Sequence, residues 1–423
     1  MAVLQPWRRP DAGSHVQQKY DRPILDIIRQ IQSFNAGRDP ERLALKYRAM
    51  RESPFAFLRG SCHLFSAALP RGGVFKSAPL AWVSGDLHLQ NFGSYKGDNR
   101  LVYFDINDFD EAVLAPASWD LVRLLTSLCV GAAGMGVASP KVQTLCQDLL
   151  DAYAAALAQG KAYWVERETV QGPVRQLLDG LRERQRASFL NTRTTLQGGL
   201  RRLRTDGRKA LPASAAQREA VARFMHGFAQ AQPKAQFFSM IDVARRVAGT
   251  GSLGVERYAV LVQGKGSPDG NHILDLKQAL PSSLMQRLKV AQPRWPTEAE
   301  RIVAVQRRMQ AVPMAFLQPV LFDERAFVLR ALQPSEDRLT MSASRRQPDA
   351  LESVVQTLGC VVAWAQLRSA GREGSACADE LIDFGRRQKW KARLLDASQD
   401  CAAQVARDAA VFNEAWDDGV FGG

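Results

Sequence analysis

Apolar residues recur at helical spacing toward both ends of the chain. ILDIIRQIQSF (24–34) and FAFLRGSCHLFSAAL (55–69) place apolar residues three and four positions apart, which predicts two helices. Longer patterns of the same kind begin near Trp119 and Lys141, and helical spacing returns from about Leu351. We therefore expect helical sequence before and after the middle of the chain.

The middle of the chain instead has the pattern of strands. RYAVLVQG (257–264) and HILDLKQA (272–279) are rich in β-branched and other apolar residues, and the turn KGSPDGN between them predicts a hairpin. An amphipathic helix, EAERIVAVQRRMQAV (298–312), follows, and then two more strands around a turn at Asp323 and Glu324. This order of elements, helical, then strand-rich, then helical, indicates an α+β fold.

Polar residues gather in two loops that follow predicted strands. The strand LAWV leads into GDLHLQNFG (85–93), and the strand LVYFDI leads into NDFDEA (107–112). Asp86 and Asn91 have the D-x-x-x-x-N spacing of a kinase catalytic loop, in which the Asp orients or deprotonates the acceptor hydroxyl and the Asn binds Mg²⁺. Asp108 heads the triplet D-F-D, at the point where kinases place a metal-binding Asp in D-F-G. These residues predict a phosphoryl-transfer site that uses Mg²⁺.

Five nearby residues are candidates for assisting roles. We expect Asp105 to be a second metal ligand, with Asp110 less closely involved. His88, in the pattern G-D-x-H, either takes part in catalysis by contacting the substrate or braces the loop. Arg59 is expected to bind phosphate or to pair with an acid of the site, and Asp120 to accept hydrogen bonds from the catalytic loop. The alternative for the acids is that they form turns and cap helices.

GTGSLG (249–254) matches the glycine-rich pattern G-x-G-x-x-G. In the dinucleotide-binding fold a helix follows this pattern, whereas here the strand RYAVLV follows. The sequence therefore favours a glycine-rich hairpin whose backbone N–H groups lie over nucleotide phosphates, and the alternative is a plain flexible hairpin. The residues expected to cover the phosphates are Gly249, Thr250, Gly251, Ser252 and Gly254.

Lys277 lies in a predicted strand after the glycine-rich hairpin. Kinases place a lysine there to hold the α- and β-phosphates, and it pairs with a Glu of the next helix. In this chain Glu298 and Glu300 stand only at the start of that helix, while Ala304 and Gln306 occupy its middle. The sequence thus predicts the phosphate-binding lysine and leaves its acidic partner open.

The motifs occur in the reverse of the usual kinase order. Asp86 precedes Gly249, whereas in kinases the glycine-rich hairpin and the lysine come first. Either the likeness is accidental or the fold is circularly permuted, which chain termini at surface loops permit. Permutation predicts a bilobal fold with an N-terminal helical extension (1–40), the first part of a helical catalytic lobe (41–160), a basic helical insertion or linker (161–235), a strand-rich nucleotide-binding lobe (236–335) and C-terminal helices that complete the helical lobe (336–423).

Composition limits the class of protein. The chain has 423 residues, 46% hydrophobic and 23% charged, which is typical of a globular protein with two or three subdomains. No apolar run reaches the ~18 residues of a membrane span, and no apolar signal region precedes the first predicted helix. The six cysteines lack a C-x-x-C pair, which indicates reduced thiols. We expect a cytoplasmic protein without a membrane span.

The net charge of +13 is partly local. Residues 171–220 contain 11 Lys and Arg against 4 Asp and Glu. Such a stretch attracts anions, including nucleotides, phosphorylated substrates, nucleic acid and acidic lipids, or is simply a solvated helix face. Phe189 is the one aromatic residue in this stretch, so bases have little to stack on and nucleic-acid binding is disfavoured.

Several of these segments together resemble a known family. SPFAFLRG, GDLHLQNFG, FDINDFDEA, PASWDLVRL, DVARRVAGTGSLG, LDLKQA and VQRRMQ are similar to the motifs of the bacterial domain-of-unknown-function family 2252, from about Tyr47 to Trp416. The family's motifs look like those of aminoglycoside phosphotransferases and protein kinases. This chain departs from the pattern at Gln278, where members tend to have Glu, and at Ala304, where an acid is expected. If the family's acid pairs with the lysine, nucleotide binding here is weaker.

The resemblance implies an ATP- and Mg²⁺-dependent phosphotransferase that acts on a hydroxyl of an unknown small molecule or protein. Asp86 is the implied base, Asn91 and Asp108 the implied metal ligands with Asp105 assisting, and Lys277 the implied phosphate ligand. A nucleotide-binding pseudokinase with a regulatory or scaffold role is the alternative. A nucleic-acid-associated protein that uses the basic stretch is a further one.

Overall fold

The computed structural model describes residues 24–339 and 350–421. In chain order its α-helices are α1 (Ile24–Phe34), α2 (Pro40–Arg51), α3 (Pro54–Gly60), α4 (Cys62–Ala68), α5 (Val74–Ser77), α6 (Ser118–Gly131), α7 (Ser139–Gln159), α8 (Gly172–Glu183), α9 (Arg186–Asn191), α10 (Ala215–Gln230), α11 (Glu298–Met309), α12 (Ala350–Arg368), α13 (Ala378–Arg386) and α14 (Lys389–Asp417). Its strands are β1 (Leu80–Val83), β2 (Phe92–Lys96), β3 (Val102–Ile106), β4 (Val113–Pro116), β5 (Thr194–Gln197), β6 (Leu200–Leu203), β7 (Ala210–Pro212), β8 (Met240–Arg246), β9 (Arg257–Val262), β10 (His272–Gln278), β11 (Gln318–Phe322) and β12 (Arg325–Ala331).

Local sequence explains where several helices begin. Asp39 caps α2, and Pro40 occupies the first turn of that helix, where its missing N–H costs nothing. Thr297 caps α11 through its hydroxyl. Ser214 and Gln217 form a capping box at the start of α10. These residues satisfy backbone N–H groups that the first helical turn leaves without an intrahelical acceptor.

Six strands form one antiparallel sheet in the order β11-β12-β10-β9-β8-β7. Successive side chains of a strand point to opposite faces, so the two faces differ in character. One face is apolar, with Val260, Leu274 and Phe327 in a cluster that also includes residues of α10. The other face carries Asp275 and Lys277, and Lys277 reaches an acid outside the sheet. The sheet therefore has one apolar face and one face that carries charged residues beside a smaller apolar cluster.

Helices from both ends of the chain form one helical body. α12 packs along α7, and α14 packs along α6. At Gly359 of α12, an added Cβ would lie 2.3 Å from the carbonyl oxygen of Leu149, so the glycine permits the close approach of α12 to α7. With the sheet, this body makes a mixed fold of helices and antiparallel strands, consistent with the predicted α+β class.

Within the described part of the chain, α12 is the one helix long and apolar enough to cross a membrane. In the structure it contacts α7, α8 and α11. Most of its length is buried inside the protein, which is the environment of a core helix.

Strand pairing brings the two acidic loops together. β1 pairs with β4 and β2 pairs with β3, so the connections at 84–91 and 107–112 lie side by side. The N–H of Asn107 donates a hydrogen bond to the carbonyl of Asn91 (2.9 Å). Gly85 has φ +85°, and a Cβ there would lie 2.2 Å from the carbonyl oxygen of Glu111. Glycine is therefore required where the loops touch.

The basic segment at 161–235 is only partly helical, which corrects the prediction. It contains α8, α9 and α10, but also the hairpin of β5 and β6, and β7 at an edge of the large sheet. Gly198 and Gly199 both have positive φ in the hairpin turn, which suits a two-residue hairpin connection. Strand-rich structure therefore begins near residue 194 rather than 236.

The structure also revises two predictions for the start of the chain. The segment 55–69, predicted as one helix, is two helices, α3 and α4, that meet at Ser61. Of the predicted extension at 1–40, residues 1–23 lie outside the described residues. The described part of this extension includes α1, which packs on α4 and α14 and so belongs to the helical body.

Candidate active site

A cleft of about 740 Å³ lies between the sheet and the helical body. Its walls include both acidic loops, the glycine-rich turn and the end of β10. The predicted site residues that line it are Arg59, Asp86, His88, Asn91, Asp108, Asp110, Gly249, Thr250, Gly251, Ser252 and Lys277. Residues more than 200 positions apart thus share one cavity, and Asp105, Asp120 and Gly254 do not line it.

Asp86 is held by a buried arginine of α6. Nε of Arg123 donates to Oδ1 of Asp86 (3.0 Å), and Nη2 of Arg123 donates to the same oxygen. The other oxygen, Oδ2, lies 3.9 Å from the position of a Cβ added at Gly251, so it faces the glycine-rich turn. Burial raises the pKa of Asp86, and the positive charge of Arg123 opposes that rise. The pairing fixes one carboxylate oxygen and leaves the second toward the cleft.

Asp120 holds the start of the catalytic loop from outside the cleft. Its carboxylate accepts hydrogen bonds from the backbone N–H groups of Ser84 (2.8 Å) and Gly85 (3.0 Å). Burial raises the pKa of Asp120 to about 6. These hydrogen bonds have the geometry that the sequence predicts for Asp120. Arg123 follows three residues later on the same face of α6, so helical spacing beside Asp120 is the signal that could have identified it.

Asn91 and Asp108 present oxygen atoms to the cleft. Nδ2 of Asn91 donates to the carbonyl of Asp86 (3.1 Å), which leaves the Asn91 side-chain oxygen as its possible metal ligand. Burial acts to raise the pKa of Asp108, but Lys277 and several arginines outweigh it, so this pKa is lowered and the carboxylate is charged. In the described part of the chain, no group of three or more His, Cys, Asp or Glu could hold a metal. One carboxylate and one amide oxygen do fit Mg²⁺, which takes further ligands from phosphate and water.

Asp105 lies outside the cleft, in contradiction to the prediction that it assists metal binding. It is only 2% exposed. Its Oδ2 accepts hydrogen bonds from Nη2 of Arg368 (2.9 Å) and from the backbone N–H of Ala311 (2.9 Å). The carboxylate therefore joins β3 to α12 and to the end of α11, and its charge is already paired.

Lys277 forms an ion pair with Asp110, the third residue of the D-F-D triplet. The helix α11 does not supply the partner, since Glu298 pairs instead with Arg301 of the same helix (2.6 Å). Gln306, in the middle of α11, donates to Gln310 (3.1 Å). The acid that pairs with Lys277 thus comes from the second acidic loop, between β3 and β4, rather than from α11.

The glycine-rich turn joins β8 to β9 and is held by two side chains, those of Arg38, between α1 and α2, and Lys46, on α2. These contacts are called the clasp below. Nη1 of Arg38 donates to the carbonyls of Gly251 (2.7 Å) and Leu253 (3.0 Å). Nζ of Lys46, on α2, donates to the carbonyl of Gly251 (3.1 Å) and to Oδ1 of Asn35 (2.7 Å). Because a trans peptide directs its N–H opposite to its carbonyl, the clasp orients the turn's backbone.

Gly254 has a packing role in this clasp. A Cβ added there would lie 2.8 Å from Cβ of Arg38, and the carbonyl of Gly254 accepts a hydrogen bond from the N–H of Asp39 (2.9 Å). Its φ of +86° also requires glycine. The prediction that Gly254 covers the phosphates is therefore corrected: this glycine faces the helical body.

The inner face of the sheet beyond Lys277 is filled by an ionic network. Asp275, which is fully buried, accepts from Nη2 of Arg257 (2.6 Å) and pairs with Nη1 of Arg246 (2.6 Å). Arg330 lies 3.6 Å away on the neighbouring strand. Burial opposes the charge of Asp275, but the arginines hold its pKa well below its usual range. These side chains brace the strand that carries Lys277.

His88 and two arginines occupy the wall beside the catalytic loop. Nδ1 of His88 accepts from the N–H of Gln90 (3.2 Å), and burial, then Arg59, keep the pKa of His88 well below its usual range. Burial, then the charge of Arg338, lowers the pKa of Arg59 to about 10. His88 is thus neutral, as a hydrogen-bond acceptor toward Gln90 requires. Sequence patterns gave no indication of Arg338.

Glu111 closes the wall opposite the glycine-rich turn. Its Oε2 accepts from the hydroxyls of Ser282 (2.9 Å) and Ser283 (3.0 Å) and from the N–H of Ser283 (2.6 Å). Burial, then the neighbouring charge of Asp86, raises the pKa of Glu111. It therefore ties the segment after β10 to the second acidic loop.

The comparisons with known proteins identify one match. The model of a family described as "Uncharacterized protein conserved in bacteria (DUF2252)" matches residues 38–415. No curated protein and no solved structure matches the chain. The matched residues include both halves of the cleft, from Arg59 to Lys277 and Arg338.

Proposed function

The chain belongs to the DUF2252 family of uncharacterized bacterial proteins, and from its cleft we propose that it is an ATP- and Mg²⁺-dependent phosphotransferase. The observation that carries this proposal is the shared cavity of Asp86, Asn91, Asp108, Lys277 and the turn at 249–252. Kinases use these residue types in these roles. Their convergence on one cavity supports a permuted kinase-like fold, in which the strand-rich lobe follows the catalytic loop along the chain.

The topology around the cleft supports the same proposal. The glycine-rich turn, the strand with Lys277 and the helix α11 follow one another in the order that kinases use. The helical body contains helices from both sides of this block, since α12 packs on α7 and α14 packs on α6. A permuted chain would divide its helical lobe in this way.

In the proposed reaction the acceptor oxygen attacks the γ-phosphorus of ATP. A new oxygen–phosphorus bond forms, the bond to the β,γ-bridging oxygen breaks, ADP leaves, and the acceptor proton passes to Oδ2 of Asp86. Arg123 holds Oδ1 and keeps the carboxylate oriented. Asn91 and Asp108 would hold Mg²⁺ through their side-chain oxygens, and the metal would neutralise phosphate charge. Lys277 leaves Asp110 to bind the α- and β-phosphates.

ATP hydrolysis tests this proposal without a known acceptor, because water can replace the acceptor. We expect Asp86→Asn to bind Mg·ATP but to lose turnover by about 100-fold or more, as removal of a general base predicts. Lys277→Met and Asp108→Asn are expected to weaken Mg·ATP binding, and Asp98→Asn, an exposed control, to change neither property. Wild-type turnover in Asp86→Asn would remove Asp86 from the chemistry, and failure of the wild type to bind Mg·ATP would refute the proposal.

A nucleotide-binding pseudokinase is the second candidate. The observation in its favour is that Lys277 pairs with Asp110, while the middle of α11 has Ala304 and Gln306 in place of an acid. Mg·ATP would then stabilise the protein against heat without any hydrolysis or transfer. Turnover that depends on Asp86 would exclude this candidate.

The structure does not favour nucleic-acid binding by the basic segment. Several of its arginines donate hydrogen bonds within the protein: Arg201 to the carbonyl of Pro268 (2.7 Å) and Arg202 to that of Ile241 (2.8 Å). Arg201 is also 2% exposed. These guanidinium groups organise the hairpin of β5 and β6 against the sheet, and phosphate contacts would have to displace them.

A further inference from the structure

Two arginines of the cleft have no carboxylate partner among the residues that the structure describes. Arg59, at the end of α3, and Arg338, after β12, both line the cavity beside Asp86 and Asp108. Nε of Arg59 is buried and has no hydrogen-bond partner among the described residues. The neighbouring acids are committed elsewhere, Asp86 to Arg123 and Asp110 to Lys277.

The environment of these two guanidinium groups is unfavourable without an anion. They lie close enough that the charge of Arg338 lowers the pKa of Arg59, and burial lowers the pKa of both. Asp108 attracts both, yet within residues 24–339 and 350–421 it forms an ion pair with neither. Buried charges in proteins are normally paired. The missing charge is therefore expected from a ligand.

The two arginines lie near Asp108 and also beside the catalytic loop. The phosphate side of the cleft already has Lys277 and the backbone of the glycine-rich turn. Arg59 stands at the end of α3, and both arginines lower the pKa of His88 in the catalytic loop. Since Asp86 is proposed to take the proton of the acceptor, groups beside that loop are in a position to contact the acceptor.

We propose that Arg59 and Arg338 form an oxyanion-binding subsite that recognises a phosphate or carboxylate group on the phosphoryl acceptor. Guanidinium groups bind both kinds of oxyanion through paired N–H donors. The acceptor class is then a small anionic compound with a hydroxyl group, held with that hydroxyl toward Asp86. This inference rests on the proposed phosphotransferase function, but the anion site itself can be measured without nucleotide.

The experiment is a calorimetric titration with inorganic phosphate, and with acetate in a second arm. Each is titrated into the protein alone and into protein saturated with Mg²⁺ and a non-hydrolysable ATP analogue. The wild type is expected to bind one oxyanion in both states. Arg338→Met and Arg59→Met are each expected to weaken that binding by about 10- to 100-fold, the loss typical of a hydrogen bond to a charged group. The relative affinity of phosphate and acetate tells which group the subsite prefers.

Three controls keep the result interpretable. Arg223→Met removes an exposed arginine of α10 that pairs with Glu219, and it should leave phosphate binding unchanged. Arg338→Lys keeps the charge and should retain part of the affinity, which distinguishes a binding loss from a folding defect. Binding of the ATP analogue to each variant is measured separately and should stay within about threefold of wild type, well short of the tenfold that 1.4 kcal/mol produces.

Three outcomes would overturn the inference. They are no saturable oxyanion binding, unchanged affinity in both methionine variants, and loss of phosphate binding when the ATP analogue is present. The last would assign the two arginines to the nucleotide phosphates. If the analogue fails to bind the wild type while phosphate binds through Arg59 and Arg338, the phosphotransferase proposal fails and the anion site stands.

Discussion

Lys46 offers a test of the clasp on the glycine-rich turn. Its side chain is 0% exposed, and its ammonium donates to Oδ1 of Asn35 (2.7 Å) and to the carbonyl of Gly251 (3.1 Å). Lys46→Met has nearly the same length but no charge and no donors. The substitution should therefore release the turn while leaving the helices packed.

The expected magnitudes follow from these contacts. Removing the ammonium relieves a desolvation cost of several kcal/mol, but it also loses two charged hydrogen bonds of about 1.5–3 kcal/mol each. These terms largely offset, so we expect the free energy of unfolding to change by at most about 2 kcal/mol. The carbonyl of Gly251 keeps its donor from Arg38 (2.7 Å), so only one anchor is lost. A loss of about 1.5 kcal/mol in the clasped turn weakens Mg·ATP binding by up to about tenfold.

The assay combines calorimetric titration of a non-hydrolysable Mg·ATP analogue with amide hydrogen exchange over residues 247–256. Lys46→Met should weaken binding and accelerate exchange in that turn. Lys141→Met is the matched control, because Lys141 is exposed and pairs with Glu352 (3.4 Å) far from the turn. Unchanged affinity together with unchanged exchange in Lys46→Met would refute the clasp.

Three further predictions concern the acids of the site. Arg123→Met removes the positive charge that opposes the rise of the Asp86 pKa. In the profile of kcat/KM against pH, the acidic limb should therefore move to higher pH by about one unit or more. An unchanged limb would show that the titration of Asp86 does not control the rate. Burial raises the folded-state pKa of Asp120 from 3.8 to about 6, so protonation of Asp120 stabilises the fold below about pH 4 and this stabilisation is lost as the pH rises through about 6. Across this range the free energy of unfolding of the wild type, measured with denaturant, should fall by up to about 3 kcal/mol more than that of Asp120→Asn. The same pH dependence in both proteins would contradict this. Asp105→Asn removes the carboxylate that pairs with half-buried Arg368 and should lower the free energy of unfolding by about 2 kcal/mol. The Mg²⁺ dependence of nucleotide binding should stay at the wild-type value, and a weakened Mg²⁺ dependence would restore Asp105 as a ligand.

Local patterns in the sequence predict the parts of the cleft that lie within one loop or strand. The D-x-x-x-x-N spacing of Asp86 and Asn91 and the strand that carries Lys277 are local features, and the structure brings them to one cavity. The partner of Lys277 could not be predicted in this way. Asp110 lies 167 residues earlier in the chain, and only the packing of sheet against helical body brings the two charges together.

The same limit applies to the residues that sequence analysis missed. Lys46 and Arg38 reach Gly251 across more than 200 positions, and no periodic pattern relates such distant residues. The prediction for Asp105 failed for the opposite reason. Asp105 is only three positions from Asp108 in the chain, yet only Asp108 lines the cleft. A strand alternates its side chains between faces, and here Asp105 points to Arg368 rather than into the cleft.

The missed hairpin of β5 and β6 was predictable in principle. Its two strands are short, TTLQ and LRRL, so neither shows the apolar alternation of a buried strand. The Gly198–Gly199 pair between them is nonetheless a recognised hairpin signal.

The proposed function requires the two halves of the cleft to bind a single triphosphate. The most direct test is a crystal structure of the protein with Mg²⁺ and a non-hydrolysable ATP analogue. We predict electron density for the phosphates between Lys277 and Asp108, under the glycine-rich turn, with the metal bound by Asp108 and Asn91. Nucleotide density at any other surface, with Lys277 still paired to Asp110, would contradict it.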